Sequence, residues 1–267
     1  MVGSSVTAAV LSVLNSGHLL RKVNLTHIAL IPKRKNPDKM SDFRPISLCN
    51  VIYKIISKVL ANRLKAILSS IISDSQSAFV PGRLITNIVV VAFETLNSLR
   101  TKRSGKKAYM ALKLDMSKAY DRVEWRFLEL FMRKIGFADN WVNFIMECIQ
   151  SVNYSVLIDG KPTGFIRPSR GLRQRDPLSP YLFLLCAEGL TSLIRQAELD
   201  GHISGVASCC RGPKVSHLFF ADDSLLFCKA IISDSTKIME ILSLYEHSLG
   251  QKINREKFVI FFSSNTP

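Results

Sequence analysis

The six cysteines, at positions 49, 148, 186, 209, 210 and 228, lack the repeated CxxC spacing of a zinc site. They read as reduced core or surface thiols. The five histidines are scattered too, and His217 reads as a strand residue, so neither residue type offers a metal site. Long apolar runs are also missing. The longest stretches, such as residues 88–93 and 182–187, fall far short of the ~20 residues a membrane helix needs. The N-terminus lacks the charged-then-apolar plan of a signal peptide. An intracellular, reducing location follows, with nucleus and cytoplasm left open. Tandem repeats and long low-complexity linkers are absent, and 47% hydrophobic content excludes a disordered chain. Acidic residues are scarce in the first part. Residues 1–107 hold 17 Lys and Arg against 4 Asp and Glu, whereas residues 108–267 hold 19 against 17. Most of the net charge of +15 is therefore N-terminal, and such an excess favours a polyanionic partner through phosphate neutralisation and counterion release.

Against this background stands Phe220-Ala-Asp-Asp223, two adjacent carboxylates between apolar runs. A lone Asp-Asp pair is an ordinary turn. An apolar hairpin with carboxylates at its tip can also hold a hard cation, since Mg²⁺ binds through one or two carboxylates plus substrate phosphates. A further acid, Asp115, closes the buried-strand pattern Ala108-Tyr-Met-Ala-Leu-Lys-Leu-Asp115. It sits on a strand-to-helix connection, where active-site groups are often presented.

The remaining elements follow from periodicity and punctuation. Residues 25–32 and 43–48 read as strands joined by the basic loop 33–39, which faces phosphate. Asn50 caps a helix over 51–71, with Ile52, Ile55, Ile56, Val59, Leu60, Leu64 and Ile67 on its apolar face. A second helix covers 86–99, and the basic loop 101–107 leads to Asp115. Asp121 and Glu124 form a capping-box start for a helix ending at Gly136. Asp159-Gly160 marks a hairpin between 154–158 and 163–167. Helices from Ser179-Pro180 and over 236–248, the latter capped by Gly250, precede a strand over 258–262. The pattern predicts an α+β fold, an antiparallel sheet backed by helices.

Three segments, Leu114-Asp-Met-Ser-Lys-Ala-Tyr-Asp121, Gly171-Leu-Arg-Gln-Arg-Asp-Pro-Leu-Ser-Pro180 and Phe220-Ala-Asp-Asp223, resemble in order and spacing the motifs of a reverse transcriptase. The wording is that of the non-LTR (LINE-type) retrotransposon branch, most closely its plant members. Ile28-Ala-Leu-Ile-Pro-Lys33, Asp42-Phe-Arg-Pro-Ile-Ser47, Gln76-Ser-Ala-Phe-Val-Pro-Gly-Arg83 and Gly250-Gln-Lys-Ile-Asn-Arg-Glu-Lys257 resemble further motifs of that family. An intron maturase is disfavoured by this wording. The resemblance implies a right-hand fold with fingers over 1–107 and palm over 108–267. The palm would contain an interleaved helical segment at about 121–150, and the thumb would be missing.

The same resemblance implies an RNA-directed DNA polymerase that uses an RNA template, a DNA primer and deoxynucleoside triphosphates. Two Mg²⁺ ions, or Mn²⁺ in their place, would be held by Asp115, Asp222 and Asp223. Tyr120 matches the ring beneath the incoming sugar, although its place also suits helix-entry packing. Arg44 and Lys33 match residues that hold the triphosphate, and Gln174 the loop against nucleotide and template. Lys257 matches a lysine that protonates departing pyrophosphate. Arg83 and Lys118 match family positions without an assigned role. One departure stands out: Arg175 replaces the glycine of the family's Arg-Gln-Gly-Asp-Pro-Leu-Ser-Pro. Glycine is used where backbone approaches a ligand or adopts a conformation costly to other residues. An inactive transposon-derived fragment that keeps the fold and binds nucleic acid is the alternative expectation.

Overall fold

The computed structural model describes residues 2–103, 105–207 and 212–266. Cys209 and Cys210 lie outside the described residues, as does Ser104 of the basic loop. In chain order the helices are α1 (Val2–Ser16), α2 (Val51–Ile71), α3 (Ile85–Thr101), α4 (Trp125–Lys134), α5 (Asp139–Gln150), α6 (Ser179–Leu199) and α7 (Ile232–Leu249). The strands are β1 (Leu25–Pro32), β2 (Phe43–Cys49), β3 (Tyr109–Asp115), β4 (Asn153–Ile158), β5 (Lys161–Ile166), β6 (Val206–Ala207), β7 (Lys214–Val215), β8 (His217–Phe220), β9 (Asp223–Lys229) and β10 (Val259–Phe262). They form two compact units, Met1–Ala66 with Val123–Phe183 and Ile67–Arg122 with Leu184–Pro267.

The first unit is built on a sheet of order β2-β1-β4-β5. β1 and β2 run antiparallel from Thr26↔Cys49 to Pro32↔Phe43, and β4 lies parallel to β1. The β4–β5 hairpin turns on Asp159 and Gly160, with φ of 49° and 74°. Two left-handed residues match strand twist in such a turn, which is why Asp-Gly signals it. The sequence grouped this hairpin with residues 108–267, but its partner is β1, a pairing no local pattern encodes.

Asn50 caps α2 through its side-chain oxygen, which accepts the Ile52 N–H at 2.9 Å. The buried stripe of that helix is Tyr53, Ile56, Leu60, Leu64 and Leu68. Ile55 and Ile67, expected inside, are exposed. The stripe is rotated because Tyr53, polar enough to pass for surface, is fully buried by its partners described below. The helix expected from Asp121 begins only at Trp125, after a 3₁₀ turn over Tyr120–Arg122. Its N-cap, Glu124, makes no side-chain capping bond and pairs instead with Arg170 at 3.2 Å. Gly136, at φ 95°, follows this helix as expected.

The second unit carries an antiparallel sheet of order β10-β3-β9-β8. Met110, Ala111, Leu112 and Leu114 of central β3 are buried, while Lys113 is exposed. Leu99, Ala111, Val206, Leu218 and Phe227 form the core here, with Ile88, Ala92 and Leu96 of α3 packed against it. The continuous apolar run 182–187 is buried along its whole length, as a helix apolar on every side requires. Gly250, at φ 71°, caps α7. The architecture is α+β, with mostly antiparallel strands and helices packed on the second sheet.

Candidate active site

Strands β8 and β9 are joined by Ala221 and Asp222, with Ala221 at φ 54° in the left-handed region. This compact turn puts Asp222 at its tip and makes Asp223 the first residue of β9. Asp223 stands directly opposite Asp115, the last residue of β3. Opposed residues of antiparallel strands have Cβ atoms about 4.5–5.5 Å apart and share a face. The register therefore brings Asp115 and Asp223 together at one end of the sheet, beside the turn that carries Asp222.

The hairpin is strapped from outside. Phe219 donates its N–H to the Ser75 carbonyl at 2.7 Å, and Ser77 donates to the Phe219 carbonyl at 3.4 Å. Gln76 Oε1 accepts the N–H of Ala78 at 2.9 Å and of Ala221 at 3.4 Å. His217 is buried between Ser75 Oγ at 2.8 Å and Ser216 Oγ at 2.9 Å. Burial, aided by the charge of Arg195, pushes its pKa down to about 4. It is a neutral strand residue. Arg83 donates to the carbonyls of Ile72, Ser73 and Gln76 and pairs with Asp74 at 3.2 Å. It thus holds the strap in shape.

Asp115 is engaged from the segment after α7. Lys257 Nζ lies 3.1 Å from its Oδ2, and Asn254 donates to the same oxygen at 3.3 Å and to the Asp115 carbonyl at 2.8 Å. Met116 bridges Ile253. The sequence reading did not include Asn254, although its place three residues before Lys257 was a signal. Tyr120 also belongs here: burial raises the pKa of its hydroxyl, and the negative charge of Asp222 raises it further.

Among the described residues, no group of three or more His, Cys, Asp or Glu side chains is gathered into a ready metal cage. The chemistry of the donors nevertheless fits a hard cation. Asp115, Asp222 and Asp223 offer carboxylate oxygens only, and Mg²⁺ completes its shell with water and phosphate oxygens. The described cysteines take no part: Cys49, Cys148, Cys186 and Cys228 are free and buried. Burial pushes Cys148 and Cys228 up to about 12, so both remain thiols.

Lys33, Arg44 and Gln174 belong to the first unit and are gathered there. Ile31 opposes Arg44 across β1 and β2, and Lys33 follows one residue after the paired Pro32. Lys33 donates from Nζ to the Ser41 carbonyl at 2.8 Å. The Gln174 carbonyl accepts the Ser47 N–H at 3.4 Å, tying its loop to the strand that carries Arg44. Arg175, exposed, has φ 68°. The backbone there keeps the left-handed form that glycine adopts without strain.

Sequence reasoning missed what holds this loop. Arg173 is buried and stacks on the Tyr53 ring, with its guanidinium carbon 3.8 Å from the ring centroid. It pairs with Asp176 at 3.3 Å and donates to the Cys148 carbonyl at 2.7 Å and to Asn24 Oδ1. The Tyr53 hydroxyl donates to Asp176 Oδ2 at 2.8 Å. Burial raises the pKa of that hydroxyl well above its ordinary value and keeps it a donor. The signal available was two opposite charges three apart beside Leu172 and Leu178.

Solved structures agree on the fold. A telomerase from Candida albicans, in complex with a fragment of telomeric RNA, superposes with a TM-score of 0.60 at 14% identity, covering 92% of this chain and 43% of that one. An apo telomerase from Candida tropicalis gives 0.59 at 15% identity, covering 91% and 51%.

The chain belongs to the reverse transcriptase (RNA-dependent DNA polymerase) family, whose pattern matches residues 31–266. It is similar to the Retrovirus-related Pol polyprotein from type-2 retrotransposable element R2DM of Drosophila melanogaster. The two are 29% identical over 90% of this chain and 22% of that protein. The uncharacterized 149 kDa protein of transposon TX1 from Xenopus laevis is 29% identical over 86% of this chain and 17% of its own length. An uncharacterized mitochondrial protein of Arabidopsis thaliana is 52% identical over 68 residues, covering 26% of this chain and 56% of that one. Two of these relatives belong to mobile elements, a retrotransposable element and a transposon. The chain spans less than a quarter of the R2DM and TX1 proteins. Among the described residues, no helix is long and apolar enough to cross a membrane.

Proposed function

We propose that this domain transfers deoxynucleotides to the 3′-hydroxyl of a DNA primer along an RNA template. The observation that carries the reading is the pairing of Asp115 with Asp223, with Asp222 in the adjoining turn. These residues would hold two Mg²⁺ ions, or Mn²⁺. When bound, the ions lower the pKa of the primer hydroxyl and stabilise the attacking and leaving oxygens. Lys257, 3.1 Å from Asp115 Oδ2, would donate a proton to departing pyrophosphate. Tyr120 bars a 2′-hydroxyl with its ring. Arg44 and Lys33 bind the triphosphate, for which a planar guanidinium offers two parallel donors, and Gln174 meets nucleotide and template.

In this reading residues 1–107 supply the fingers and residues 108–267 the palm, with the β4–β5 hairpin lent to the fingers sheet. The Arabidopsis relative supports a plant source, and the buried free thiols suit an intracellular, reducing setting.

The test is extension of a DNA primer on an RNA template by the purified protein with Mg²⁺ and deoxynucleotides. Asp222→Asn is expected to lower the rate on the order of 10³-fold, the equivalent of several kcal/mol of lost charge stabilisation. A folded Asp222→Asn variant as active as wild type would sink the assignment. A second reading, an inactive fragment that binds nucleic acid, is favoured by one observation: Arg175 in the glycine conformation. Absent extension by the wild type together with a salt-sensitive gel shift would select that reading.

A further inference from the structure

The segment that reaches Asp115 also lines a separate, open pocket in the second unit. It measures about 490 Å³ and is lined by Arg122, Glu246, His247, Gln251, Lys252 and Arg255, a size within the roughly 300–1,000 Å³ of small-molecule sites. Arg122, Lys252 and Arg255 make no ion pair among the described residues. Glu246, the opposing carboxylate, is engaged by the Ile253 N–H at 2.7 Å. His247 is turned to its own helix, with Nδ1 2.7 Å from the Ser243 carbonyl.

Among the described residues, two buried polar atoms on the lining have no hydrogen-bond partner, Arg122 Nε and Gln251 Oε1. The Gln251 amide is fixed nonetheless, since its Nε2 donates to the Ala119 carbonyl at 2.8 Å. A buried donor without an acceptor is unfavourable, and an anion on Arg122 would remove that cost. Three full positive charges against one carboxylate set the sign of the ligand.

We propose that this cavity binds phosphate oxyanions, through the guanidinium groups of Arg122 and Arg255 and the ammonium of Lys252. None of these residues has a role in the polymerase reading above, and the inference does not depend on catalysis. The backbone nonetheless couples the cavity to the carboxylates. Ser117 donates its N–H to the Lys252 carbonyl at 2.7 Å, and the neighbouring Asn254 bonds Asp115. Phosphate held here would restrain the segment that brings Lys257 to Asp115. The phosphate could belong to a free polyphosphate or to a nucleic-acid backbone.

The experiment is calorimetric titration of the full chain with inorganic pyrophosphate, in chelator and without nucleotide, so that the carboxylates contribute no metal-mediated binding. The Lys252→Gln/Arg255→Gln double variant is expected to bind at least tenfold more weakly, with an unchanged melting temperature. Lys58→Gln/Lys161→Gln, which removes two exposed cations elsewhere, should stay within twofold of wild type. A short single-stranded RNA titrated against the same proteins distinguishes the sources. Selective loss of pyrophosphate affinity assigns a free polyphosphate, and selective loss of RNA affinity assigns backbone phosphate. Absence of loss for both ligands, or equal loss in the control pair, overturns the proposal.

Discussion

Arg175 carries a cost that a glycine would not. At φ 68° its Cβ crowds the backbone, a conformation that costs an L-residue roughly 1–2 kcal/mol. Arg175→Gly would relieve it while increasing the freedom of the unfolded chain, so a net gain of up to about 1 kcal/mol is expected in urea unfolding. If the long cation also obstructs nucleotide or template, the same variant will raise primer extension. The neighbouring residues predict the opposite sign. Asp176→Asn leaves Arg173 buried without its counter-charge, a change that costs about 3–5 kcal/mol. Denaturant midpoints of Asp176→Asn and Tyr53→Phe would separate the ion pair from the weaker Tyr53 hydrogen bond. Tyr120→Ala should raise incorporation of ribonucleotides relative to deoxynucleotides by about 10–100-fold, measured as a ratio of kcat/KM. The acids of the site were legible because adjacency and strand-end position are local properties. Arg173 and Tyr53 were not, since their partnership joins residues 120 positions apart and depends on how β1, α2 and the loop pack.

The elements were easier to read than their partners. The bounds of β1 and α2 follow directly from apolar periodicity and from Asn50. The inward stripe of α2 did not, because the burial of Tyr53 reflects the buried acid it meets and not its own hydropathy. The start of α4 was misplaced because the Asp121–Glu124 spacing fits a capping box, whereas the chain forms a 3₁₀ turn over Tyr120–Arg122 and Glu124 makes no capping bond. The β8 strand carries a pH prediction. His217 has a folded pKa of about 4 against an unfolded value near 6.5. Below pH 6.5 the unfolded state therefore binds more protons, and stability falls as pH drops towards 4. The loss is of order 3 kcal/mol. Urea midpoints from pH 7 to pH 4 should show it, and His217→Gln should flatten that profile. Gly205 limits the adjoining β6–β7 pair: an added Cβ would lie 2.7 Å from the Val215 carbonyl. Gly205→Ala should lower the melting temperature measurably.

Across the whole molecule, charge is divided unequally. The first unit holds 19 Lys and Arg against 8 Asp and Glu, and the second 17 against 13. Under the proposed function the first would be the main electrostatic footprint for nucleic acid. If about four phosphates are neutralised, affinity for an RNA–DNA duplex should fall ~10²-fold between 50 and 200 mM salt. A gel shift that barely responds to salt would contradict this. The sheet of the second unit also has a temporal meaning. β3 pairs with β9 and β10, more than a hundred residues later, whereas β8 and β9 are neighbours in the chain. Contacts across such separations pay their loop-closure entropy before any reward. During synthesis the Asp222 turn can form as soon as it is made. Asp115 must wait for Asp223, more than a hundred residues later, so the pairing that assembles the candidate site follows the formation of the hairpin.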